Sequence, residues 1–266
     1  MTNSANNDAQ TDAPLVLADD EAGVRTLTLN RPQALNAFNG AMFDALAQAF
    51  VAAGQDNAVK VVVVTGQGRA FSAGADLSSD GQNRNEATFG FPGMVDVIID
   101  FPKPFIVAAN GLGVGIGCTI LGLADTAFMA ESARMRCPFS ALGLTAEACS
   151  TYTFPHLMGR QNASWFLLSA EWMSSTECVA SGLAKEVLPD DGFLAAVIER
   201  ARTMARMPLS SLMQTKELIM APHRDAMRTN AKAENDGLAK LRGGPANTEA
   251  LAAFREKREP DFSTIR

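Results

Sequence analysis

Two runs near the start of the sequence, residues 15–18 and 24–30, predict a pair of strands. The first run is apolar, and in the second Leu27 and Leu29 lie two positions apart and so on one face of a strand. Gly23 lies between the two runs, where a glycine favours a tight turn. We therefore expect a hairpin, followed by a helix over residues 41–53, whose apolar positions recur at helical spacing.

Two uninterrupted apolar runs predict strands that are buried on both faces. The first spans residues 59–65 and contains four consecutive valines, and the second spans residues 105–109. Each run is followed by a glycine-rich segment, at 66–76 and at 111–117, which we interpret as a loop. Strands that alternate with helices in this way are typical of an α/β fold.

Helical spacing dominates the second half of the chain. After short strands at 126–130 and 134–137, the pattern predicts one more strand over 183–188 and helices near residues 146–157, 161–169, 175–181, 191–206, 208–219, 223–240 and 246–258. No spacer rich in serine, glycine or proline separates the two halves. We therefore expect a change of layer near residue 140 rather than a linker between domains.

The charge of the chain disfavours non-specific binding to nucleic acid. The 23 basic and 29 acidic side chains give a formal net charge of −6. Neutralising phosphates requires an excess of basic side chains, which this chain lacks. An anionic ligand would have to be held locally, by a few cations or by backbone N–H groups.

Residue spacing also disfavours a metal site and a membrane span. The four cysteines form no CxxC pair and the chain has only two histidines, so we interpret the cysteines as small core residues in a reducing compartment. The uncharged stretch 104–124 approaches the length of a membrane span but contains a proline, an asparagine and five glycines. We predict a buried strand, a loop and a buried helix there.

The spacing of the glycines excludes the common nucleotide-binding motifs. After the strand at 105–109, a G-x-G-x-x-G motif would need a glycine at 116 or 118, where Ile116 and Cys118 stand. No glycine precedes a lysine, as a P-loop requires. The run AFSAG at 70–74 differs from the nucleophile elbow G-x-S-x-G at its first residue, which disfavours Ser72 as a nucleophile.

Two interpretations of the glycine loops stay open at this point. Loops that follow buried strands can present bare N–H groups to a developing negative charge, and two such donors make an oxyanion hole. Glycine equally allows backbone segments to pack closely against each other.

Two carboxylates are candidates for chemistry. Asp76 ends the first loop, where an N-cap role is the simpler interpretation. Thr145 is a typical N-cap residue and would place Glu147 in the first turn of a helix, where an acidic side chain stabilises the helix dipole. The neighbours of Glu147 are apolar, and desolvation among them would raise its pKa, as a general acid or base requires.

Four segments of the chain together resemble the crotonase, or enoyl-CoA hydratase/isomerase, family. Residues 61–77 (VVVVTGQGRAFSAGADL) are similar to its first signature, and residues 101–125 (FPKPFIVAANGLGVGIGCTILGLAD) to its second. The segments LNRPQALNAF at 29–38 and AFREKREPDF at 253–262 also fit. The resemblance covers nearly the whole chain.

The resemblance implies a fold and a class of ligand. It implies a crotonase-like spiral of ββα turns over residues 14–200 and a helical region over 201–266 that mediates homotrimers or hexamers; the polar residues 1–13 are expected to form a disordered tail. The substrate would be an acyl-CoA thioester, so that coenzyme A enters only as part of the substrate. No metal, redox cofactor, nucleic acid or membrane partner is expected.

The resemblance also implies roles for individual residues. The thioester oxygen, as an enolate, would be held by the N–H groups of Ala75 and Ile116. The residues expected to bind the substrate are Gln33, Ala34, Leu35, Ala73, Asp76, Leu77, Phe139 and Leu142. A basic residue common in the family at Gln33 and at Ser78 is absent here, so the motif does not say how the phosphates of CoA are bound.

The catalytic acids distinguish the activities within this family. Hydratases use two glutamates, and Thr119 and Phe139 occupy those positions here. Glu147 instead occupies the position used by peroxisomal-type Δ3,Δ2-enoyl-CoA isomerases, to which residues 138–159 are similar throughout. The resemblance thus predicts an isomerase that moves a double bond from C3 to C2 of an enoyl-CoA, with Glu147 shuttling the proton.

Two alternatives to this isomerase remain open from the sequence. One is another enolate reaction on an acyl-CoA, either hydration or isomerisation of a ring acyl-CoA. The other is a non-catalytic acyl-CoA-binding protein of the same fold. We further expect the polar segment 78–96 to cap the acyl pocket, and we expect a cytoplasmic location because residues 263–266 do not form an S-K-L signal.

Overall fold

The computed structural model describes residues 13–76 and 88–265. In these ranges the strands are β1 (Val16–Glu21), β2 (Val24–Leu29), β3 (Val61–Gly66), β4 (Ala70–Ser72), β5 (Phe105–Ala109), β6 (Leu112–Val114), β7 (Thr126–Ala130), β8 (Arg134–Arg136), β9 (Trp172–Ser174) and β10 (Glu186–Leu188). The expectations for the tail at 1–12, for Leu77 and for residues 78–87 lie outside the described residues.

Helices follow the strands and then form most of the second half. They are α1 (Gly40–Gln55), α2 (Gly90–Ile99), α3 (Ile116–Thr119), α4 (Ser150–Ser169), α5 (Ser175–Ser181), α6 (Phe193–Ala205), α7 (Leu209–Leu241) and α8 (Pro245–Glu256). Three short 3-10 turns lie at Pro32–Ala34, Ile120–Gly122 and Ser140–Leu142.

The strands form two sheets. The larger has the order β1-β2-β3-β5-β7-β10, in which β1 and β2 form the expected antiparallel hairpin and the other neighbours are parallel. The smaller has the order β4-β6-β8-β9, with only its last pair antiparallel. Along the chain, β3-β4-α2, β5-β6-α3 and β7-β8-α4 each place one strand in each sheet before a helix. This is the expected spiral of ββα turns.

The core lies between the larger sheet and the helices. All six residues of β3 are buried, as its run of valines predicts for a strand covered on both faces. Helix α1 begins after Asn39, whose side chain accepts a hydrogen bond from the N–H of Met42. On the buried face of α1, the Phe50 ring contacts the rings of Phe101 and Phe105 edge-on, with centroids 4.9 Å apart in each pair.

The two glycine-rich segments are not simply loops. Each contains a three-residue strand of the smaller sheet, β4 in the first segment and β6 in the second. Such strands are too short to show an alternating pattern, and they form because parallel pairing with each other and with β8 satisfies their backbone groups.

Two helical predictions also differ from the structure. A single helix, α7, continues through Pro222, where a break between two helices was predicted; proline removes one N–H donor, and the helix is otherwise continuous. Helix α4 covers both helices predicted over 146–169, and its kink at Gly159 (φ 74°) lies at the predicted break. However, α4 begins only at Ser150.

The apolar stretch 104–124 is buried as expected, forming β5, β6, α3 and a 3-10 turn. All four cysteines are free and buried. Among the helices that the structure describes, none is long and apolar enough to cross a membrane. The predicted boundary at residue 200 falls within α6, and no observation tests that division.

Candidate active site

The two glycine segments meet at Gly74 and Gly115. A β-carbon on Gly74 would lie 2.6 Å from the carbonyl oxygen of Val114, and one on Gly115 would lie 3.9 Å from the α-carbon of Gly74. Both glycines have positive φ, 88° and 54°. The contact is therefore between backbone and backbone, and Gly74 tolerates no side chain there.

Other glycines of these segments serve close packing alone. A β-carbon on Gly111 or Gly117 would approach a carbonyl oxygen of the first segment to 2.5 Å or less, and one on Gly66 would lie 2.4 Å from the oxygen of Ala70. Close packing of the backbone, one of the two interpretations of the glycines, is therefore confirmed at these positions.

Two N–H groups lie beside this contact. Ala75 forms a parallel β-bridge with Phe38. In it the N–H of Phe38 donates to the oxygen of Gly74 at 2.7 Å, and the N–H of Asp76 donates to the oxygen of Phe38 at 2.8 Å. Ile116 is the first residue of α3, where the helix itself offers no acceptor. Within the described part of the chain, no acceptor is recorded for the N–H of Ala75 or of Ile116.

The carboxyl group of Glu147 lies beside these donors. Its Oε1 atom is 3.7 Å from the position that a β-carbon would take on Gly115, the residue before Ile116. The pKa of Glu147 is raised from its ordinary value of 4.5 to about 7, chiefly by burial and also by the nearby charge of Glu234, while the charge of Arg242 opposes the rise. A carboxyl with this pKa exchanges protons readily near neutral pH.

The backbone around Glu147 is not helical, contrary to the prediction that Thr145 caps a helix containing it. Ala148 and Cys149 have φ of 55° and 61°, so the chain turns through the left-handed region before α4 begins. Such a conformation costs a non-glycine residue roughly 1–2 kcal/mol. The turn holds Glu147 outside the helix, at the wall of a cavity.

A second buried carboxylate, from α7, holds this turn. The Oε2 atom of Glu234 accepts the N–H of Cys149 at 2.7 Å. Its Oε1 atom accepts the N–H and the hydroxyl of Thr151, at 2.8 and 2.6 Å. The sequence analysis missed Glu234, which stands among polar residues of a long helix and shows its burial only through tertiary packing.

Glu147, Ala75 and Ile116 share one cavity of about 320 Å³. Asp76 also lines this cavity and pairs with Arg31 at 3.0 Å. The other lining residues come from α1, α2, α7 and their ends: Phe38, Asn39, Gly40, Phe43, Gly90, Phe91, Pro92, Asn235, Leu238, Ala239 and Arg242. Gly90, Phe91 and Pro92 belong to the segment 78–96, which was expected at the acyl pocket. The others were not predicted, since elements that lie far apart in the chain supply them.

Several predicted substrate-binding residues lie around the cavity rather than on it. Among the described residues that line it, Gln33, Ala34, Leu35, Ala73, Phe139 and Leu142 do not occur. The N–H of Ala73 donates to the oxygen of Leu35 at 2.9 Å, which joins the turn at Pro32–Ala34 to the Ala75 segment. Phe139 is buried and borders a separate cavity with Leu144.

Ser72 has a structural role. Its hydroxyl donates to the oxygen of Asn36 at 2.8 Å and accepts the N–H of Gly74 at 3.1 Å, and the residue is fully buried. These bonds hold the Gly74 segment in place and leave the hydroxyl unable to act as an exposed nucleophile. In the described ranges, no group of three or more His, Cys, Asp or Glu residues is arranged to hold a metal ion.

Comparison with known proteins places these features in a family. A family model described as enoyl-CoA hydratase/isomerase matches residues 19–264. Enoyl-CoA delta isomerase 2 of Rattus norvegicus is 37% identical over 211 residues, which cover 77% of this chain and 54% of that protein. This chain thus spans about half the length of that relative. The human protein of the same name is 34% identical, and the match covers 80% of this chain and 56% of that protein.

Other relatives match over almost their whole length. The 2,3-dehydroadipyl-CoA hydratase of Escherichia coli K12 is 33% identical over 90% of this chain and 94% of that protein. A crystal structure of an enoyl-CoA hydratase/isomerase from Pseudoalteromonas atlantica T6c superposes with a TM-score of 0.90 and 30% identity, covering 94% of this chain and all of the other. With its ββα spiral and its matched sequence, the chain belongs to the enoyl-CoA hydratase/isomerase family.

Proposed function

We propose that this protein is an isomerase that moves a double bond from C3 to C2 of an enoyl-CoA thioester. The observation that carries the proposal is the carboxyl group of Glu147, whose pKa is about 7. It lies on the same cavity as the N–H groups of Ala75 and Ile116, which have no acceptor among the described residues. A base and an oxyanion hole are the two parts that proton transfer next to a carbonyl needs.

The first step is removal of a proton from C2. In a 3-enoyl thioester the C2 hydrogens are acidified by both the carbonyl and the alkene, and the Glu147 carboxylate takes one of them. The electron pair moves onto the thioester oxygen, forming a dienolate. The N–H groups of Ala75 and Ile116 stabilise this oxygen, each by roughly 3 kcal/mol in the transition state.

The second step returns the same proton to C4. The Glu147 carboxyl donates it, the double bond forms between C2 and C3, and Glu147 is again a carboxylate. Substrate and product are isomers, so the step needs no co-reactant. A pKa of about 7 suits both proton transfers, because Glu147 must accept a proton from C2 and then release it to C4.

The relatives and the site both favour isomerisation over hydration. The rat and human relatives are named as enoyl-CoA delta isomerases. Thr119 and Phe139, which stand where hydratases of this family carry glutamates, are both buried. Hydration remains the alternative supported by the Escherichia coli relative, and it would require a second carboxylate to activate water.

The remaining expectations are also proposals. We assign the CoA moiety to the surface formed by Gln33, Ala34, Leu35 and Ala73, next to the proposed oxyanion hole; the expectation for Leu77 lies outside the described residues. For assembly, a trimer or hexamer fits the exposed aromatic and aliphatic side chains of α4, since Trp165 and Leu168 are 66% and 73% exposed in the single chain. The cytoplasmic location stays a prediction.

Parallel turnover assays on the wild-type protein test the proposed function. We expect isomerisation of trans-3-hexenoyl-CoA to exceed hydration of crotonyl-CoA by about 100-fold or more, because one acid/base group is present where hydration uses two. Faster hydration would support the hydratase alternative. Binding of both thioesters without turnover of either would support the non-catalytic alternative.

A further inference from the structure

Glu234 is the buried carboxylate that the proposed chemistry does not use. It lies in the last third of α7 and is 5% exposed. A buried carboxylate is costly unless it is hydrogen-bonded, so its retention in this position calls for a specific role. Its recorded partners lie within the segment that follows Glu147.

The contacts of Glu234 replace a helix cap. Helix α4 begins at Ser150, and its N-cap residue Cys149 has no side-chain cap of its own. Glu234 accepts the N–H groups of Cys149 and Thr151, which are donors that the first turn of α4 leaves unpaired. An N-cap side chain ordinarily accepts such N–H groups. Here a carboxylate from another helix, α7, caps α4 instead.

The same contacts hold the left-handed turn. Ala148 and Cys149 both have positive φ, and the hydrogen bond from the N–H of Cys149 to Glu234 fixes the second of them. The turn is tied to α7 once more, because the Cys149 thiol donates to the oxygen of Met227 at 3.3 Å. The position of Glu147, one residue before the turn, depends on this geometry.

The contacts also indicate the charge of Glu234. All three recorded hydrogen bonds at its oxygens come from donors, namely two N–H groups and one hydroxyl. The two N–H groups can only donate, which favours the carboxylate form of Glu234, while burial raises the pKa of this group. The negative charge of Glu234 then acts on Glu147 across the turn.

We propose that Glu234 is a positioning residue for Glu147: it fixes the turn that carries the catalytic carboxyl and supplies a fixed negative charge behind it. That Glu147 is catalytic rests on the proposed function. That Glu234 holds the turn next to Glu147 rests on the hydrogen bonds alone. The fixed charge makes Glu147 a stronger base, because its carboxylate form lies near a like charge.

Other charged groups act on the same turn. Arg242, at the end of α7, lines the cavity and lowers the pKa of Glu147. Asp76 faces the cavity from the β4 side and is paired with Arg31. The pKa of the Cys149 thiol is raised to about 12 by burial together with the charges of Glu234 and of Asp96 in α2. Among these, Glu234 and Arg242 act on Glu147 in opposite directions.

Three variants of α7 separate the role of Glu234 from a general structural one. Glu234→Gln removes the charge and keeps the size, Glu234→Asp keeps the charge and shortens the reach, and Asp236→Asn removes an equal charge from the exposed side of the same helix. Asp236 is exposed, pairs with Lys232 at 2.7 Å and is not among the residues that line the cavity. The readout is the pH profile of kcat/KM for trans-3-hexenoyl-CoA, with thermal unfolding to verify folding.

We expect Glu234→Gln to move the acid limb of the profile to lower pH by about one unit and to reduce kcat by about 10-fold or more. Glu234→Asp should reduce kcat while leaving the acid limb near its wild-type position. Asp236→Asn should change neither. An unshifted acid limb with wild-type kcat in Glu234→Gln would overturn the proposal, as would equal shifts in Glu234→Gln and Asp236→Asn.

A titration without substrate keeps this test independent of the reaction. Carbon-13 NMR of labelled glutamate side chains, with the Glu147 signal assigned by Glu147→Gln, reports the pKa of Glu147 directly. A lower pKa in Glu234→Gln, and a higher one in Arg242→Ala, would support the positioning role even if no enoyl-CoA were isomerised. An unchanged pKa in a folded Glu234→Gln variant would refute it, and a failed turnover assay alone would refute only the proposed function.

Discussion

Glu147 shows what residue types can and cannot predict. Its apolar neighbours indicate a raised pKa from the sequence alone, and burial is indeed the largest cause of the rise to about 7. Its conformation was predicted wrongly, because nothing near residue 147 signals a left-handed turn held by a carboxylate 87 positions later in the chain. Long-range hydrogen bonds of this kind leave no local pattern.

Removing the Glu147 carboxyl should stabilise the fold above neutral pH. A pKa raised from 4.5 to about 7 means that the folded state binds more protons than the unfolded state between these values, so this group lowers stability progressively as the pH rises through that window. The shift corresponds to at most about 3 kcal/mol. Glu147→Gln should therefore raise Tm at pH 8 by several degrees and have little effect at pH 4.

Thermal unfolding of both proteins across pH 4 to 8 measures this difference. A Tm difference that stays constant with pH would show that Glu147 titrates normally in the folded protein. A Glu147→Gln variant that is less stable than the wild type at pH 8 would contradict the burial of its charge.

At the scale of elements, the proposed oxyanion hole depends on the contact between two short segments. Gly74→Ala should disrupt it, because a β-carbon would lie 2.6 Å from the oxygen of Val114 and must displace one of the segments. We expect kcat to fall by about 100-fold, as for the loss of one oxyanion-hole donor.

Gly192→Ala is the matched control for that change. Gly192 also has positive φ, 70°, but a β-carbon there would meet nothing within 4 Å. The control carries the same kind of backbone strain without the clash. Equal effects of the two substitutions on kcat would contradict an oxyanion hole built on the Gly74 contact.

Elements with strong local patterns were predicted well and those without were not. The hairpin, α1, β3 and β5 follow from apolar periodicity and runs of valine. Strands β4 and β6, with three residues each, exist through pairing in the smaller sheet, which no window of sequence reveals. The break predicted between the helices at 208–219 and 223–240 was wrong, because α7 continues through Pro222.

At the scale of the whole molecule, the C-terminal helices complete the site. Helix α7 contacts the Glu147 segment through Glu234 and through Gly237, whose β-carbon would lie 2.9 Å from the side chain of Thr145. Helix α8 contributes Asn247, which donates to the oxygen of Leu142 at 2.8 Å. The region expected to mediate assembly therefore also shapes the cavity, a role that the sequence did not predict.

Assembly should depend on the exposed apolar face of α4. We expect light scattering to give the wild-type protein a mass of about three or six times the 28.2 kDa of one chain. The double change Trp165→Glu and Leu168→Glu should lower this mass, because it places charges on side chains that a partner would bury. A monomeric wild type, or an unchanged mass in the double variant, would contradict this prediction.

The most direct test of the account is the turnover of trans-3-hexenoyl-CoA by Glu147→Gln beside the wild type, with binding of the product thioester measured for both. The account predicts that isomerisation falls by about 1000-fold or more while binding changes by only a few-fold, because the amide keeps the shape of the site and cannot carry the proton. A Glu147→Gln variant that retains at least a tenth of wild-type turnover would contradict the assignment of Glu147 as the proton shuttle.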